Sequence, residues 1–206
     1  HPGETMAQWF MEGLIQPLLL NDKLASELLQ AYNFYLVPNM NPDGSALGNH
    51  RTNALGINLN RQWHAPSPKS SPEVYWVQQA MGQTGVDAFL DVHGDESIPH
   101  NFIMSAQQHE TASVLKAELA RRTPQFQTQY DYDTVSSGCG TPCCGSNCGQ
   151  SKPAKATDYV ASEYQCLSMI MELSFKNLAS EPQRDWTEVG CMELGQAFLQ
   201  SLAAES

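Results

Sequence analysis

The chain has 206 residues, 41% hydrophobic and 16% charged, so it can bury one sizeable core and has too little charge to be disordered. We expect a single domain over residues 1–206. Acidic residues outnumber basic ones by 22 to 11, and the net charge of −11 repels phosphate backbones and anionic membrane surfaces. No apolar run reaches the roughly 18 residues of a membrane helix. Nucleic acid and membranes are therefore not expected partners.

The first part of the chain alternates between helical and extended patterns. Apolar residues at helical spacing predict amphipathic helices over residues 5–16 and 21–30, the second capped by Asn21. The aromatic and branched run at 34–37 predicts a short buried strand that leads into a turn at 41–44. A helix is predicted over 71–83, because Ser71 can cap it and is followed by proline and an acid.

The alternation continues towards the end of the chain. A stretch rich in Gly, Ser, Cys and Pro, residues 136–155, predicts a long loop or lid. The remaining predicted elements are strands at 88–92, 101–104 and 166–171 and helices at 110–122 and 186–202. The whole pattern predicts an α/β fold, a three-layer α/β/α domain with a mixed, mainly parallel sheet.

Candidate metal ligands occur at two places in the sequence. His1 and Glu4 have the spacing HxxE, which puts an imidazole and a carboxylate on one side of a turn, although this pair alone is a weak signal. His93 follows an apolar strand, and strand ends are where open α/β sheets build their sites. Two histidines and a glutamate form the ligand set of a catalytic zinc site, which leaves a position for water.

Polar residues that could bind an anion or transfer a proton lie between and after these candidate ligands. Arg51, Asn60 and Arg61 stand in turn-like sequence, where arginines can bind a carboxylate or an oxyanion, although each alone is also an ordinary surface residue. Glu172 ends the apolar strand predicted at 166–171. A carboxylate is costly there unless it is paired, hydrogen-bonded or catalytic.

Six motifs in a fixed order carry a resemblance to a known family. They are HPGET at the start, NPDG at 41–44, GNHR ending at Arg51, NLNRQW ending at Trp63, DVHGDE at 91–96 and MELSFK at 171–176. Together they resemble the zinc metallocarboxypeptidase family, and most closely its cytosolic carboxypeptidase branch with the bacterial members.

The resemblance implies a function and a role for each candidate residue. The chain would be a zinc-dependent hydrolase that removes single residues from peptide or protein C-termini, in the cytoplasm. His1, Glu4 and His93 match the zinc ligands, and Glu172 the catalytic glutamate. Arg51 matches the oxyanion-stabilising arginine, and Asn60 with Arg61 the pair that grips the terminal carboxylate of the substrate. The family also has a tyrosine on a mobile loop that closes over the substrate. No motif fixes its position here, and Tyr159 is the candidate, with Tyr164 and a plain core or surface aromatic as alternatives.

The chain also departs from the family pattern. The family has at least one strand before HxxE, and the cytosolic branch carries a β-sandwich domain further upstream, so we expect a fragment. Alternatives are a deacylase of N-acyl amino acids from the same superfamily, a non-catalytic metal-binding or interaction module, and a copper site at an N-terminal histidine, which would leave the other motifs unexplained.

Two features leave several interpretations open. Four cysteines in the loop could form two disulfides, remain free thiols or bind a second metal: Cys139, Cys143, Cys144 and Cys148. The branch resemblance suggests that an acidic residue such as glutamate is released. Lys152 and Lys155 could pair with its side chain, whereas Asp158 would favour a basic one, and loop lysines are by default only solvated charges.

Overall fold

The computed structural model describes residues 1–20, 22–132 and 155–203. Its strands are β1 (Ala88–Asp95), β2 (Phe102–Ser105) and β3 (Leu167–Ser174), and a short 3₁₀ helix covers Leu59–Arg61. The helices in chain order are α1 (Thr5–Leu18), α2 (Lys23–Ala31), α3 (Pro42–Leu47), α4 (Pro72–Thr84), α5 (Glu110–Arg122), α6 (Ala156–Tyr164) and α7 (Glu188–Leu202). None of these helices is long and apolar enough to cross a membrane.

The sheet of the described residues has the strand order β1–β3–β2. β3 pairs in parallel with β1 along its whole length and antiparallel with β2, so the sheet is mixed, as predicted. Glu172 lies opposite His93 in one pairing and opposite Phe102 in the other. These three residues form one row across the sheet. Within the described ranges, the outer edge of β1 has no partner strand.

Two apolar clusters lie on the two faces of the sheet. Side chains alternate along a strand, so Val92 and Met171 face one side with α1, α5 and α7. Phe89 faces the other side, where it packs with residues of α4 and α6 such as Val74 and Val160. The sheet is thus the middle layer of an α/β arrangement, and the row through His93 lies on the α4 and α6 side.

Most predicted elements are confirmed. The helices predicted at 5–16, 71–83, 110–122 and 186–202 and the strands predicted at 88–92, 101–104 and 166–171 all occur, with ends shifted by a few residues. The helix expected from residue 21 begins instead at Lys23, with Asp22 as its cap, and the Asp22 side chain accepts from the Ala25 N–H at 2.9 Å. The turn expected at 41–44 opens the short helix α3, with Asn41 capping Gly44 N–H.

The buried strand predicted at residues 34–37 is wrong. The segment has no regular structure, and Tyr35 is 68% exposed. A strand needs hydrogen bonds from a neighbouring strand, and none of the described strands pairs with this segment. High β-propensity without a partner is not enough to form a strand.

The second correction concerns the segment before β3. Tyr159, expected on a mobile loop, lies on helix α6, which begins directly after Lys155. Most of the loop predicted at 136–155 lies outside the described residues. So do Lys152 and the four cysteines of that loop, Cys139, Cys143, Cys144 and Cys148, and the open interpretations of their role stay as they were.

Candidate metal centre

A tight turn at the start of the chain brings His1 and Glu4 together. The Glu4 N–H donates to the His1 carbonyl at 3.2 Å, and His1 Nδ1 lies 2.7 Å from Glu4 Oε1. The Gly3 N–H donates to the His50 carbonyl at 3.0 Å. A Cβ atom at Gly3 would collide with that carbonyl, so only glycine permits this approach. The contact places Arg51, the next residue, beside the HxxE turn.

Strand β1 delivers the third residue of the group. His93 Nδ1 lies 2.8 Å from Glu4 Oε2, and the Gly94 N–H donates to the same oxygen at 3.0 Å. A side chain at Gly94 would collide with Met6 and Phe175, so this glycine lets the strand end pack against the start of α1. Glu4 therefore bridges the two imidazoles, and ligand atoms of all three residues lie within 4.8 Å of one another.

The three residues form a charged and buried group. Glu4 and His93 are only 3% and 6% exposed. Burial opposes ionisation of both, but the charge of Asp91 and the hydrogen bonds to Asp91 and Glu4 raise the pKa of His93 to about 10. For Glu4, burial acts to raise the pKa, but the hydrogen bond to His93 and the charge of His93 outweigh burial, so the pKa of Glu4 is lowered. A cation that binds here must displace a proton from His93.

The donor set fits zinc. Two imidazoles and one carboxylate are the ligands of a catalytic zinc site, and they leave at least one coordination position open. His1 Nε2 is buried and has no hydrogen-bond partner among the described residues. The other ring nitrogen of His1, Nδ1, faces the Glu4 carboxylate, as His93 Nδ1 does, so the donor atoms of the three residues converge as the ligands of one cation do.

Glu172 lies next to this group, on the adjacent strand. It faces His93 in the β1–β3 register and is 6% exposed. Burial raises the pKa of Glu172 to about 7, with the charge of His93 opposing the shift and that of Glu4 adding to it. A carboxylate with this pKa can take and return a proton near neutral pH, as a general base requires.

The raised pKa predicts how the stability of the metal-free chain depends on pH. Glu172 titrates near 4.5 when unfolded and near 7 when folded, so its protonated form favours the fold. Its contribution is fully present below pH 4.5 and is lost as the pH rises through 7. At mildly alkaline pH, Glu172→Gln should therefore raise the free energy of unfolding by up to about 3 kcal/mol.

The measurement is chemical denaturation of both chains in the presence of a chelator, repeated between acid and alkaline pH. Glu163→Gln, which removes an exposed carboxylate, is the control and should show no such pH-dependent difference. A Glu172→Gln chain whose stability advantage is the same at every pH would contradict the burial effect.

A tyrosine that the sequence did not single out reaches across to Glu172. The Tyr132 hydroxyl donates to Asp95 Oδ2 at 3.0 Å, and its ring packs edge-on against Phe102, with centroids 5.1 Å apart. Asp95 is on β1 and Phe102 is on β2, so Tyr132 spans β3 between them. Tyr132 is also close enough to Glu172 to lower the pKa of that carboxyl group, against the larger effect of burial.

The other predicted site residues lie around the group. Arg51 lies beside it, with Nη1 3.3 Å from His1 Nδ1 and Nη2 3.2 Å from Glu96 Oε1. Asn60 Nδ2 lies 3.2 Å from His93 Nε2. Arg61 is exposed and donates to the Asn60 carbonyl at 2.7 Å.

Tyr159 is placed differently. Its ring packs against Trp63, with centroids 5.8 Å apart, in the apolar cluster beneath α4 and α6. Its role over the substrate stays a prediction.

Two of the residues that sequence reasoning missed belong to a motif it had recognised. Asp91 and Glu96 are both in DVHGDE, and the alternation of side chains along β1 puts Asp91 on the same face as His93. That signal could have been used. Tyr132 has no such signal, because its contacts with Asp95 and Phe102 join residues that are distant in sequence.

Comparison with known proteins identifies a family and several relatives of the chain. The zinc carboxypeptidase family model matches residues 1–188. A protein of Zymomonas mobilis is 40% identical over 214 residues, which cover 98% of this chain and 53% of that protein. Human cytosolic carboxypeptidase 1 is 48% identical over 116 residues, 54% of this chain and 10% of that protein.

Two solved structures share the fold. A metallo-carboxypeptidase from Pseudomonas aeruginosa, in complex with (2-guanidinoethylmercapto)succinic acid, has a TM-score of 0.84 and 40% identity over 99% of this chain and 54% of its own. A metallo-carboxypeptidase from Burkholderia cenocepacia has a TM-score of 0.83 and 33% identity, over 99% of this chain and 55% of its own. The carboxypeptidase-like fold predicted from the motifs is confirmed.

The chain spans about half the length of the Zymomonas protein and of both structures. The family model nonetheless covers the HxxE turn, β1 with His93 and β3 with Glu172. By sequence and by fold, this chain belongs to the zinc carboxypeptidase family.

Proposed function

We propose that the chain forms the catalytic part of a zinc carboxypeptidase that hydrolyses the last peptide bond of peptides or proteins. The observation that carries the proposal is the convergence of His1, Glu4 and His93 within 4.8 Å, beside the buried carboxyl group of Glu172. Membership of the family supports hydrolase chemistry. Because the chain spans about half the length of the Zymomonas protein, its own activity is the point to be tested.

In this proposal His1, Glu4 and His93 hold the zinc ion, which supplies Lewis-acid polarisation and a lowered pKa of bound water. Glu172 accepts the proton of the attacking water and then donates it to the departing amine. The burial of Glu172 and its position opposite His93, beside the three converging ligand residues, support both steps.

Arginines and an amide are available for the rest of the substrate. Arg51 is 39% exposed at its side chain and offers N–H donors next to the group, so we assign it to the oxyanion. Asn60 and Arg61 would grip the terminal carboxylate. Their adjacency on the 3₁₀ helix and the exposure of Arg61 support that assignment.

The finer proposal has two parts. The chain releases glutamate from the C-terminus of its substrates, and it does so in the cytoplasm. Both parts follow from the resemblance to the cytosolic branch. Lys155, at the start of α6, is exposed and could pair with an acidic side chain. The net charge of −11 opposes the approach of acidic tails, so the preference would have to arise within the cleft.

A panel of peptides that differ only in the last residue tests both levels of the proposal. We expect release of single C-terminal residues, fastest for glutamate, at low and at high salt. Faster release of lysine or leucine would overturn the glutamate preference and leave the carboxypeptidase activity intact. Hydrolysis of N-acyl amino acids without hydrolysis of peptides would favour the deacylase alternative.

A further inference from the structure

Asp91 is an acidic residue of the site without a role in the chemistry proposed above. It lies on β1 two residues before His93, so both side chains are on the same face of the sheet. Asp91 Oδ2 is 3.0 Å from His93 Nε2, and the Asp91 side chain is only 20% exposed. The carboxylate therefore meets the imidazole on the side that faces away from Glu4.

We infer that Asp91 is a positioning residue of the metal centre: it holds the His93 ring so that Nδ1 faces the cation. The inference rests on the zinc-binding part of the proposed function. It concerns the orientation and tautomer of one ligand, and Asp91 itself would not touch the ion.

The reason lies in the two nitrogens of the ring. A neutral imidazole carries one proton, and it binds a metal through the other nitrogen. His93 Nδ1 is the nitrogen directed at Glu4, at 2.8 Å. A carboxylate acceptor at Nε2 keeps the proton there and leaves the Nδ1 lone pair free. Carboxylate partners of this kind orient metal-binding histidines and raise their basicity.

The neighbouring side-chain amide of Asn60 would favour the other tautomer of His93. Asn60 Oδ1 accepts from the Ala156 N–H at 2.9 Å, so its NH₂ group is the end turned towards His93 Nε2, at 3.2 Å. A donor there would favour a lone pair on Nε2 and a proton on Nδ1. Asp91 is nearer and charged, and charge-assisted hydrogen bonds are the stronger ones. The ring nitrogen therefore donates to Asp91.

Zinc affinity measures this role directly. The dissociation constant of zinc is determined by competition with a chromophoric chelator at neutral pH for the unsubstituted chain, Asp91→Ala and Asp91→Asn. We expect Asp91→Ala to weaken zinc binding by about 10- to 100-fold and Asp91→Asn, which keeps the shape and an acceptor oxygen, by less. Asp87→Asn removes an exposed acid just before β1 and should leave the affinity unchanged.

A second measurement separates orientation from a general loss of structure. In the zinc-loaded chain, NMR of isotope-labelled histidine should show a slowly exchanging ring N–H proton on His93 Nε2. This signal should persist in Asp87→Asn and disappear in Asp91→Ala. Denaturation of the metal-free chains checks that each variant folds, and Asp91→Asn serves if the alanine variant does not.

The outcomes are distinct. If the unsubstituted chain binds no zinc, the proposed metal centre is wrong and the role of Asp91 falls with it. If it binds zinc and both Asp91 variants bind as tightly, only the role of Asp91 is overturned.

Discussion

Replacing Glu172 with glutamine should lower kcat/KM on a blocked dipeptide by about 10²- to 10⁴-fold. Glutamine has nearly the same shape as glutamate but cannot accept a proton from water. Glu172 is buried opposite His93, so we expect no exposed acid to take over its role. The measurement is steady-state kinetics together with the zinc content of each preparation.

The zinc content distinguishes loss of the general base from loss of the metal site. Glu172→Gln should still bind one zinc ion, because Glu172 is not among the three converging ligand residues. Glu163→Gln, on the exposed side of α6, should retain normal activity. Turnover of Glu172→Gln within about tenfold of the unsubstituted chain would show that Glu172 is not the general base.

Stoichiometric zinc binding should be lost in His93→Ala. The variant removes one of two imidazoles and leaves Glu4 buried without its main partner, so the remaining donors are too few for a tight site. Binding should also weaken in acid in the unsubstituted chain, because zinc must displace a proton from His93. Metal analysis after dialysis and chelator competition measure both effects.

His109→Ala is a matched control, because His109 is exposed at the start of α5 and away from the candidate ligands. It should bind zinc like the unsubstituted chain. A His93→Ala chain that retained one tightly bound zinc would exclude His93 as a ligand, whatever happened to its activity.

The residues of the candidate site could be predicted because they are tied to local signals. His1 and Glu4 share one turn, and His93 lies near the end of β1, where the sequence predicts a strand. The way they meet was not predictable, since it depends on long-range packing. Gly3 must approach the His50 carbonyl, and Gly94 must accept Met6 and Phe175 against its backbone.

The failures have a common physical origin. The run at 34–37 has the composition of a strand, but strand formation depends on a partner far away in sequence. Tyr132 reaches Asp95 across 37 residues of chain, and its position depends on the ring of Phe102. Local patterns carry no information about such contacts, whereas helices such as α5 were predicted closely because their hydrogen bonds are local.

Among the strands that the structure describes, β1 has no partner along its outer edge, and this has a consequence for handling the protein. An open edge presents a row of main-chain donors and acceptors that can add any extended segment, including one from a second copy. The exposed apolar side chains of Tyr35, Leu36 and Val37 can also promote association, by burying apolar surface against a second copy. Because β1 also carries His93, whatever hydrogen-bonds along that edge stiffens the strand that presents a metal ligand. Aggregation state and metal occupancy are therefore best measured together.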